Sequence, residues 1–478
     1  MLFNSINFAL FLPVVFILYW FAAKRNLKLQ NILLLVSSYF FYACWDWRFM
    51  FLLIFSTLLD YYTGIKIHES SNQGQKKFWL WLSIIVNLGF LGVFKYYNFF
   101  ASSLADGLSL IGIKANLGSL QVILPVGISF YTFHGLSYVI DIFKNRIKPE
   151  RNFISYSVFV SFFPLLVAGP IERATHLLPQ ILKKREFDYS RAVDGLRQIL
   201  WGLFKKIVIA DNCAEYANTI FNNSADYSGS TLVVGALFFT FQIYCDFSGY
   251  SDIALGTARL FGIDLLRNFA FPYFSRDIAE FWRRWHISLS SWFKDYLYIP
   301  LGGSKGGMWM KIRNTFIIFL VSGFWHGANW TFVAWGFLNA LFIMPSIIFK
   351  TNRNHLDIVT KGKFFPSIQE FVSIGITFSL TVFAWIFFRA NSMTHALHYI
   401  SHIFSSSLFS KPEILPKTKL ILIIVFMIVE WIGRENQYAI AKLWTNWYKP
   451  LRWAMYCVIL FSIFYFTGIE QQFIYFQF

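Results

Sequence analysis

The stretch NTFIIFLVSGFWHGANWTFVAWGFLNALFIMPSIIF, residues 314–349, contains 36 consecutive positions without a formally charged side chain. As one helix it would be about 54 Å long at 1.5 Å per residue, whereas the hydrocarbon core of a bilayer is about 30 Å thick. The stretch therefore predicts two membrane-spanning segments. The expected break between them is Gly327-Ala328-Asn329, which follows His326 directly.

The whole chain has the same apolar character. Of its 478 residues, 56% are hydrophobic and 14% are charged, compared with about 45–50% and about 25% in soluble domains. These values exclude a soluble enzyme and a disordered chain. The four cysteines are far apart and form no CxxC pair, so the sequence encodes neither a disulfide framework nor a zinc site; they are Cys44, Cys213, Cys245 and Cys457.

The net charge of +17 comes from basic residues that lie mainly in the loops. Cytoplasmic loops of membrane proteins carry such an excess, and anionic lipid headgroups attract it. The charge therefore indicates contact with membrane lipids, and no nucleic-acid partner is expected.

The pattern of apolar runs predicts an all-α polytopic membrane protein with about ten to twelve transmembrane helices. Two segments depart from simple spans. Residues 152–171 are uncharged but lie between two basic loops, and Pro164 and Gly169-Pro170 interrupt them, which predicts a re-entrant element. From Tyr189 to Ile209, apolar residues recur at helical spacing, which predicts an interfacial amphipathic helix.

We expect a single membrane domain spanning residues 1–478, with no internal repeat. Loops and motifs divide it into four parts. The first contains the N-terminal spans, and the second contains the re-entrant segment, the cytoplasmic amphipathic helices and the motif FWRRWH. The third surrounds His326, and the fourth contains the C-terminal spans. These parts are residues 1–143, 144–313, 314–350 and 367–478.

Two histidines stand out, because ionisable groups at membrane depth are costly and usually functional. His326 lies at the predicted break, between small residues that leave room for a substrate. It is a candidate general base; a packed, hydrogen-bonded histidine and a haem ligand are the alternatives. His286 lies on the apolar side of a predicted amphipathic helix through residues 281–296. Its alternative interpretation is a buried structural histidine.

Other polar residues have simpler interpretations. His134 suits an interhelical hydrogen bond. Asp246 and Asp252 close a span, where structural hydrogen bonds are favoured over proton or cation coupling. Three further histidines share one helix face, as a metal site would need, but no carboxylate or cysteine accompanies them, so no metal is predicted; they are His395, His398 and His402.

Several motifs together closely resemble the membrane-bound O-acyltransferase family, in the bacterial branch of alginate O-acetylation. The main matches are FWRRWH at 281–286, DYLYIPLGG at 295–303 and WHGANW at 325–330. Supporting matches keep the order of the family along nearly the whole chain; they are MLFNS at 1–5, PVGISF at 125–130, AGPIER at 168–173, DFSGYSD at 246–252 and FFRA at 387–390.

The resemblance implies helices around a central funnel, with an acyl thioester approaching from the cytoplasm and the acceptor from the other side. It implies that His326 is the catalytic histidine and His286 a supporting one. Candidate substrate-binding residues in the same motifs are Trp325 and Asn329, which could donate to an oxyanion, and Arg283, Arg284 and Asp295.

The implied protein is an O-acyltransferase of a bacterial inner membrane, without a permanently bound cofactor. The donor would be acetyl-CoA or an acyl-carrier protein, and the acceptor an exported polysaccharide or an extracytoplasmic acetyltransferase. D-alanyl transfer, as in teichoic acid modification, is the alternative within the family, although the FFRA segment and the chain length favour acetyl transfer. A polysaccharide or lipid transporter without acyl chemistry is the alternative from another class.

Overall fold

A computed structural model describes most of the chain, and the regular secondary structure of the described residues is entirely helical. This finding confirms the all-α class. Lys24 and Arg25, in the first basic loop, and Ala168, in the AGPIER motif, lie outside the described residues. The described ranges are 1–23, 26–115, 118–121, 123–167, 169–468 and 471–474.

The chain divides into two compact units. The first consists of Met1–Val193 and Thr257–Leu266, and the second of Asp194–Gly256 and Arg267–Phe478. The expected single domain stays a prediction.

The helices before residue 189 belong to the first unit. They are α1 (Ile6–Ile17), α2 (Leu27–Ala43), α3 (Trp47–Glu69), α4 (Gln73–Leu91), α5 (Tyr97–Leu110), α6 (Ile128–Phe143), α7 (Phe153–Ser161), α8 (Phe163–Leu166) and α9 (Ala174–Leu182). Short π-helical segments extend two of them, Leu18–Ala22 after α1 and Gly92–Tyr96 between α4 and α5.

The later helices belong mostly or wholly to the second unit. They are α10 (Tyr189–Leu203), α11 (Asp211–Asn222), α12 (Gly229–Leu260), α13 (Ile278–Arg284), α14 (Ile287–Phe293), α15 (Gly307–His326), α16 (Trp330–Ile348), α17 (Ile368–Arg389), α18 (Met393–Ile403), α19 (Lys417–Gly433) and α20 (Lys449–Tyr465). Phe204–Ala210 and Lys294–Tyr298 are π-helical, and Pro272–Phe274 and Ser406–Phe409 are 3-10 turns.

Several helical runs are long and apolar enough to cross a bilayer, as expected for a multi-pass membrane protein. Ile6–Ala22 is a shorter apolar run. The predicted total of ten to twelve crossings stays a prediction. Among the described residues the long runs are Trp47–Glu69, Gln73–Leu110, Gly229–Leu260, Trp330–Ile348 and Ile368–Arg389.

The predicted re-entrant region consists of two short helices, α7 and α8, which meet at Phe162 just before Pro164. Neither is long enough to cross a bilayer. The backbone N–H of Phe163 at this break donates to the Ser38 hydroxyl at 3.0 Å, and α8 is buried throughout. The protein thus satisfies the broken backbone, which a re-entrant element requires. Its depth in the bilayer stays a prediction.

The helix predicted at 189–209 is present, and its position at the membrane interface stays a prediction. These residues begin an unbroken helical run from Tyr189 to Asn222, about 50 Å long at 1.5 Å per residue. Leu196 in the apolar stripe is 56% exposed, whereas Lys205 and Lys206 are 3% and 0% exposed. The side chains of Lys205 and Lys206 are therefore enclosed by protein while Leu196 faces outward, because lipid is a good solvent for leucine and a poor one for lysine.

Glycines let the backbones of α10 and α12 approach closely. A Cβ added to Gly202 would lie 2.6 Å from the carbonyl oxygen of Gly249, and one added to Gly249 would lie 2.8 Å from that of Gly202. Seven residues further along α12, a Cβ on Gly256 would lie 2.4 Å from the carbonyl oxygen of Gly195. This spacing sets the two helices antiparallel and in backbone contact.

We expect Gly202→Ala to lower the free energy of unfolding by about 1–3 kcal/mol, because the added methyl group cannot fit without separating the helices. Gly375→Ala in α17 is the matched control, since no atom lies within 4 Å of a Cβ built there. Alanine should be neutral or slightly stabilising at that position. Thermal unfolding of both variants in detergent measures the difference, and a Gly202→Ala protein as stable as wild type would refute the close packing.

Candidate functional site

His286 lies at a junction between α13 and α14. The structure corrects the prediction of one continuous helix through residues 281–296, because Trp285 is extended and His286 has φ 43° and ψ 54°. This left-handed conformation costs a non-glycine residue about 1–3 kcal/mol. Helix α13 begins after Asp277, whose side chain accepts a hydrogen bond from the N–H of Glu280 at 2.6 Å.

Residues 268–270 hold the backbone on both sides of this junction. The N–H of Ala270 donates to the carbonyl of Arg284 at 2.9 Å, and the N–H of Ile287 donates to the carbonyl of Asn268 at 2.9 Å. The left-handed turn at His286 is therefore fixed by its neighbours. Sequence periodicity gave no sign of it, because helical spacing continues through the motif.

The His286 side chain is almost fully enclosed, with 1% of the residue exposed. Its ring meets Phe247 edge to face at 4.7 Å between centroids and lies 6.2 Å from the ring of Trp325. Burial lowers the pKa of the imidazole to about 3. At physiological pH the ring is therefore neutral, with one nitrogen that can donate and one that can accept a hydrogen bond.

His326 is the last residue of α15, as the predicted break at Gly327-Ala328-Asn329 requires. Helix α16 begins after Asn329, whose side-chain oxygen accepts a hydrogen bond from the N–H of Thr331 at 3.0 Å. The two helices pack backbone to backbone here, because a Cβ on Gly323 would lie 2.2 Å from the carbonyl oxygen of Phe332.

The His326 ring lies among aromatic side chains. Its centroid is 5.1 Å from that of Trp335 with perpendicular planes, 5.3 Å from Phe388 and 4.9 Å from Trp325. Only 4% of the residue is exposed. Such surroundings exclude water, which favours transfer of an acyl group over its hydrolysis.

Trp325 has ring contacts with both histidines, 6.2 Å to His286 and 4.9 Å to His326 between centroids. The fold thus brings together residues of the two motifs that lie about forty positions apart in the sequence. Two imidazoles around one indole provide proton acceptors and an N–H donor in a site of low polarity, which is what transfer of an acyl group to a hydroxyl needs.

The guanidinium groups of Arg283 and Arg284 bind the loop after α16. Arg283 donates to the carbonyls of Asn352 and His355, both at 2.8 Å. Arg284 donates to the carbonyl of Asp357 at 2.7 Å and pairs with Glu280. These contacts hold the loop in place. The expected role of both arginines in substrate binding stays a prediction, and it requires these bonds to open.

The other two candidate substrate-binding residues lie in different settings. The amide nitrogen of Asn329 donates to the carbonyl of Asn391 at 3.0 Å, and its amide oxygen caps α16. Both polar atoms of this side chain therefore already have a partner. Asp295 is half-buried in the π-helical segment Lys294–Tyr298. Within the WHGANW motif, the geometry therefore favours Trp325 over Asn329 as the donor to an oxyanion.

Two further histidines, His134 and His395, have hydrogen-bond partners within the protein. Nε2 of His134 accepts a hydrogen bond from the N–H of Glu172 at 3.0 Å, in keeping with the predicted structural role. His395 accepts from the N–H of Asn391 and contacts Ser224, both at 3.3 Å. The part of the chain that the structure describes contains no group of three or more metal-ligating side chains.

A network of buried charges joins the π-helical segment Phe204–Ala210, which follows α10, to α12. Asp246 pairs with Lys206 at 2.8 Å, and Asp252 pairs with Lys205 at 2.5 Å. Lys206 also pairs with Asp211 at 2.7 Å. The structure therefore gives the two aspartates the structural bonds that were favoured for them. Sequence reasoning missed the lysines, although two adjacent cations inside an apolar helical pattern were a usable signal.

Comparisons with known proteins agree with these features. The sequence model of the membrane-bound O-acyltransferase family, MBOAT, matches residues 143–378. The probable alginate O-acetylase of Pseudomonas aeruginosa is 37% identical over 418 residues, which cover 87% of this chain and 77% of that protein. The peptidoglycan O-acetyltransferase of Helicobacter pylori is 37% identical over 428 residues, covering 83% and 78%.

A more distant similarity covers about half of the chain. The teichoic acid D-alanyltransferase of Bacillus subtilis is 28% identical over 288 residues, which are 56% of this chain and 70% of that protein.

We expect Lys206→Met to lower the free energy of unfolding by about 3–5 kcal/mol, because it leaves two buried carboxylates without their cation. The control is Lys66→Met, since the pair of Lys66 and Glu69 is partly exposed, 3.5 Å long and worth at most about 1 kcal/mol. Denaturation in detergent compares the two variants. An equally small loss of unfolding free energy in both variants would mean that the buried ion pairs do not stabilise the fold.

Proposed function

Because this chain belongs to the membrane-bound O-acyltransferase family, we propose that it transfers an acetyl group from a cytoplasmic thioester to a hydroxyl acceptor, with His326 as the general base. Membrane O-acyltransferase activity follows from the family and from the named relatives. The proposal adds the identity of the acyl group, its donor and its acceptor, and the residues that perform the transfer.

The observation that carries the proposal is the setting of His326. It ends a helix inside an apolar stretch, is 4% exposed and is surrounded by aromatic rings. A neutral imidazole has a ring nitrogen that can accept a proton, and histidine is the side chain that most often serves as a general base. A hydroxyl acceptor brought against this ring would lose its proton as it attacks the thioester.

The proposed reaction balances without an external energy source. The acceptor oxygen forms a bond to the thioester carbonyl carbon as His326 takes the hydroxyl proton, which gives a tetrahedral oxyanion. The carbon–sulfur bond then breaks, the carbonyl re-forms, and the departing thiolate takes the proton from the imidazolium of His326. An ester and a free thiol result, and the protein contributes position, a base and donors to the oxyanion.

His286 and Trp325 have supporting roles in this scheme. The Trp325 indole lies near both histidines, so its N–H is the candidate donor to the oxyanion. The neutral His286 ring can hold the donor thioester or the acceptor by a hydrogen bond. Neither role requires a metal or a permanently bound cofactor.

The donor in this proposal is acetyl-CoA or an acyl-carrier protein on the cytoplasmic side of a bacterial inner membrane. The acceptor is an exported polysaccharide or an extracytoplasmic acetyltransferase. The support comes from two relatives named for O-acetylation of alginate and of peptidoglycan.

Acetyl transfer is preferred over D-alanyl transfer for a measurable reason. The two O-acetylating relatives are both 37% identical to the chain and match more than four fifths of it, whereas the D-alanyltransferase is 28% identical and matches 56%. A transporter without acyl chemistry is less favoured, because both of these relatives are named for O-acetylation.

We expect His326→Ala to reduce the ester-linked acetate of the cell envelope at least a hundredfold, since general base catalysis contributes about 10²–10⁴-fold. His286→Ala should reduce it about tenfold or more. The control is His398→Ala, because His398 is an exposed histidine on α18. Acetate released by mild alkali, relative to the amount of protein in the membrane, is the measurement. Unchanged acetate in His326→Ala would remove His326 from the reaction and favour the transporter.

Labelled precursors separate the two acyl groups. Cells that express the chain should incorporate labelled acetate into alkali-labile envelope esters, and this label should disappear in His326→Ala. Labelled D-alanine should be incorporated equally with and without the chain. Incorporation of D-alanine that depends on His326 would instead assign the protein to D-alanyl transfer.

A further inference from the structure

Asn268 makes three hydrogen bonds at the junction that contains His286. Its carbonyl oxygen accepts from the N–H of Ile287 at 2.9 Å, and its Oδ1 accepts from the Ser288 hydroxyl at 2.6 Å. Its Nδ2 donates to the hydroxyl of Ser251 on α12 at 3.1 Å. The residue is 1% exposed, so these bonds are shielded from bulk water.

These bonds act on the two residues that follow His286 directly. Since His286 has the left-handed backbone and caps α14, the direction of its side chain depends on where Ile287 and Ser288 are held. Asn268 fixes both, one through its main chain and the other through its side chain. On the other side of the junction, Ala270 binds the carbonyl of Arg284.

Helix α12 connects this clamp to the imidazole ring itself. Ser251, which anchors the Asn268 amide, lies four residues after Phe247, so both project from the same face of α12. Phe247 is the ring that His286 meets edge to face at 4.7 Å. One helix face therefore supports the ring of His286 directly and its backbone through Asn268.

We infer that Asn268 is the positioning residue of His286: its amide and carbonyl hold the left-handed turn that directs the imidazole toward Trp325. This inference rests on the proposed function, in which His286 supports the transfer. An asparagine is suited to the task, because a neutral amide supplies one acceptor and one donor in a buried place where an aspartate would add an unpaired charge.

The inference is tested by removing the side-chain bonds one at a time in the full-length protein. Asn268→Ala and Ser288→Ala should each lower the initial rate of ester-linked acetate accumulation about tenfold to a hundredfold, because a misplacement of about 1 Å has effects of this size. Ser288→Thr keeps the hydroxyl and should stay within threefold of wild type. Ser291→Ala is the control, since that hydroxyl donates only within its helix, to the carbonyl of Ser288 at 2.9 Å.

A double variant separates positioning from a general structural role. With His286 replaced by alanine and His326 intact, a residual rate remains, and adding Asn268→Ala should change it less than twofold. The same fold loss in both backgrounds would overturn the inference, as would a wild-type rate in Asn268→Ala. The thermal unfolding midpoint of each variant in detergent shows whether it is folded. If Asn268→Ala is unfolded, the acetylation rates of Ser288→Ala and Ser288→Thr test the inference instead.

The failure of the proposed function would look different. Unchanged acetate in His326→Ala and His286→Ala would reject acetyl transfer at these histidines. Loss in both histidine variants, together with full activity in Asn268→Ala and Ser288→Ala, would reject only the positioning role.

Discussion

Every polar group buried in this chain has to find its partner within the protein, because the surrounding hydrocarbon offers none. The lysines of the π-helical segment Phe204–Ala210 meet this requirement through aspartates, with Lys206 paired to both Asp246 and Asp211. The break between α7 and α8 obeys it as well, since the Ser38 hydroxyl accepts the backbone N–H of Phe163. The irregular parts of the chain are therefore the parts with the most specific contacts.

The same constraint explains where the helices touch and what the candidate site is made of. Apolar side chains gain little by leaving lipid, so small residues and polar residues gather between helices. Gly202 and Gly249 bring the backbones of α10 and α12 together, and Gly323 does so for α15 and α16. In the second pair, close packing places His326 at the end of its helix against Trp335.

The candidate site depends on a junction that helical periodicity conceals. The FWRRWH motif has the spacing of a continuous amphipathic helix, yet its histidine adopts a left-handed backbone between two short helices. Arg283 and Arg284, which look like ligands for a charged substrate in the sequence, donate to carbonyls of the loop after α16. Contacts between segments distant in the sequence override the local pattern in both cases.

The sequence by itself showed that the chain lies in a lipid bilayer, that it is helical, and that a helix breaks after His326. It also singled out the two histidines to test. These features could be read directly because composition, run length and charge-free stretches are local properties. It did not reveal that two lysines of the helical run beginning at Tyr189 are enclosed by protein, because periodicity shows that a helix has two faces but not which face is buried. Only the tertiary structure decided that these lysines are inside. Only the tertiary structure also brought His286 close to Trp325 and its neighbour His326, because such proximity results from packing between segments that no local pattern records.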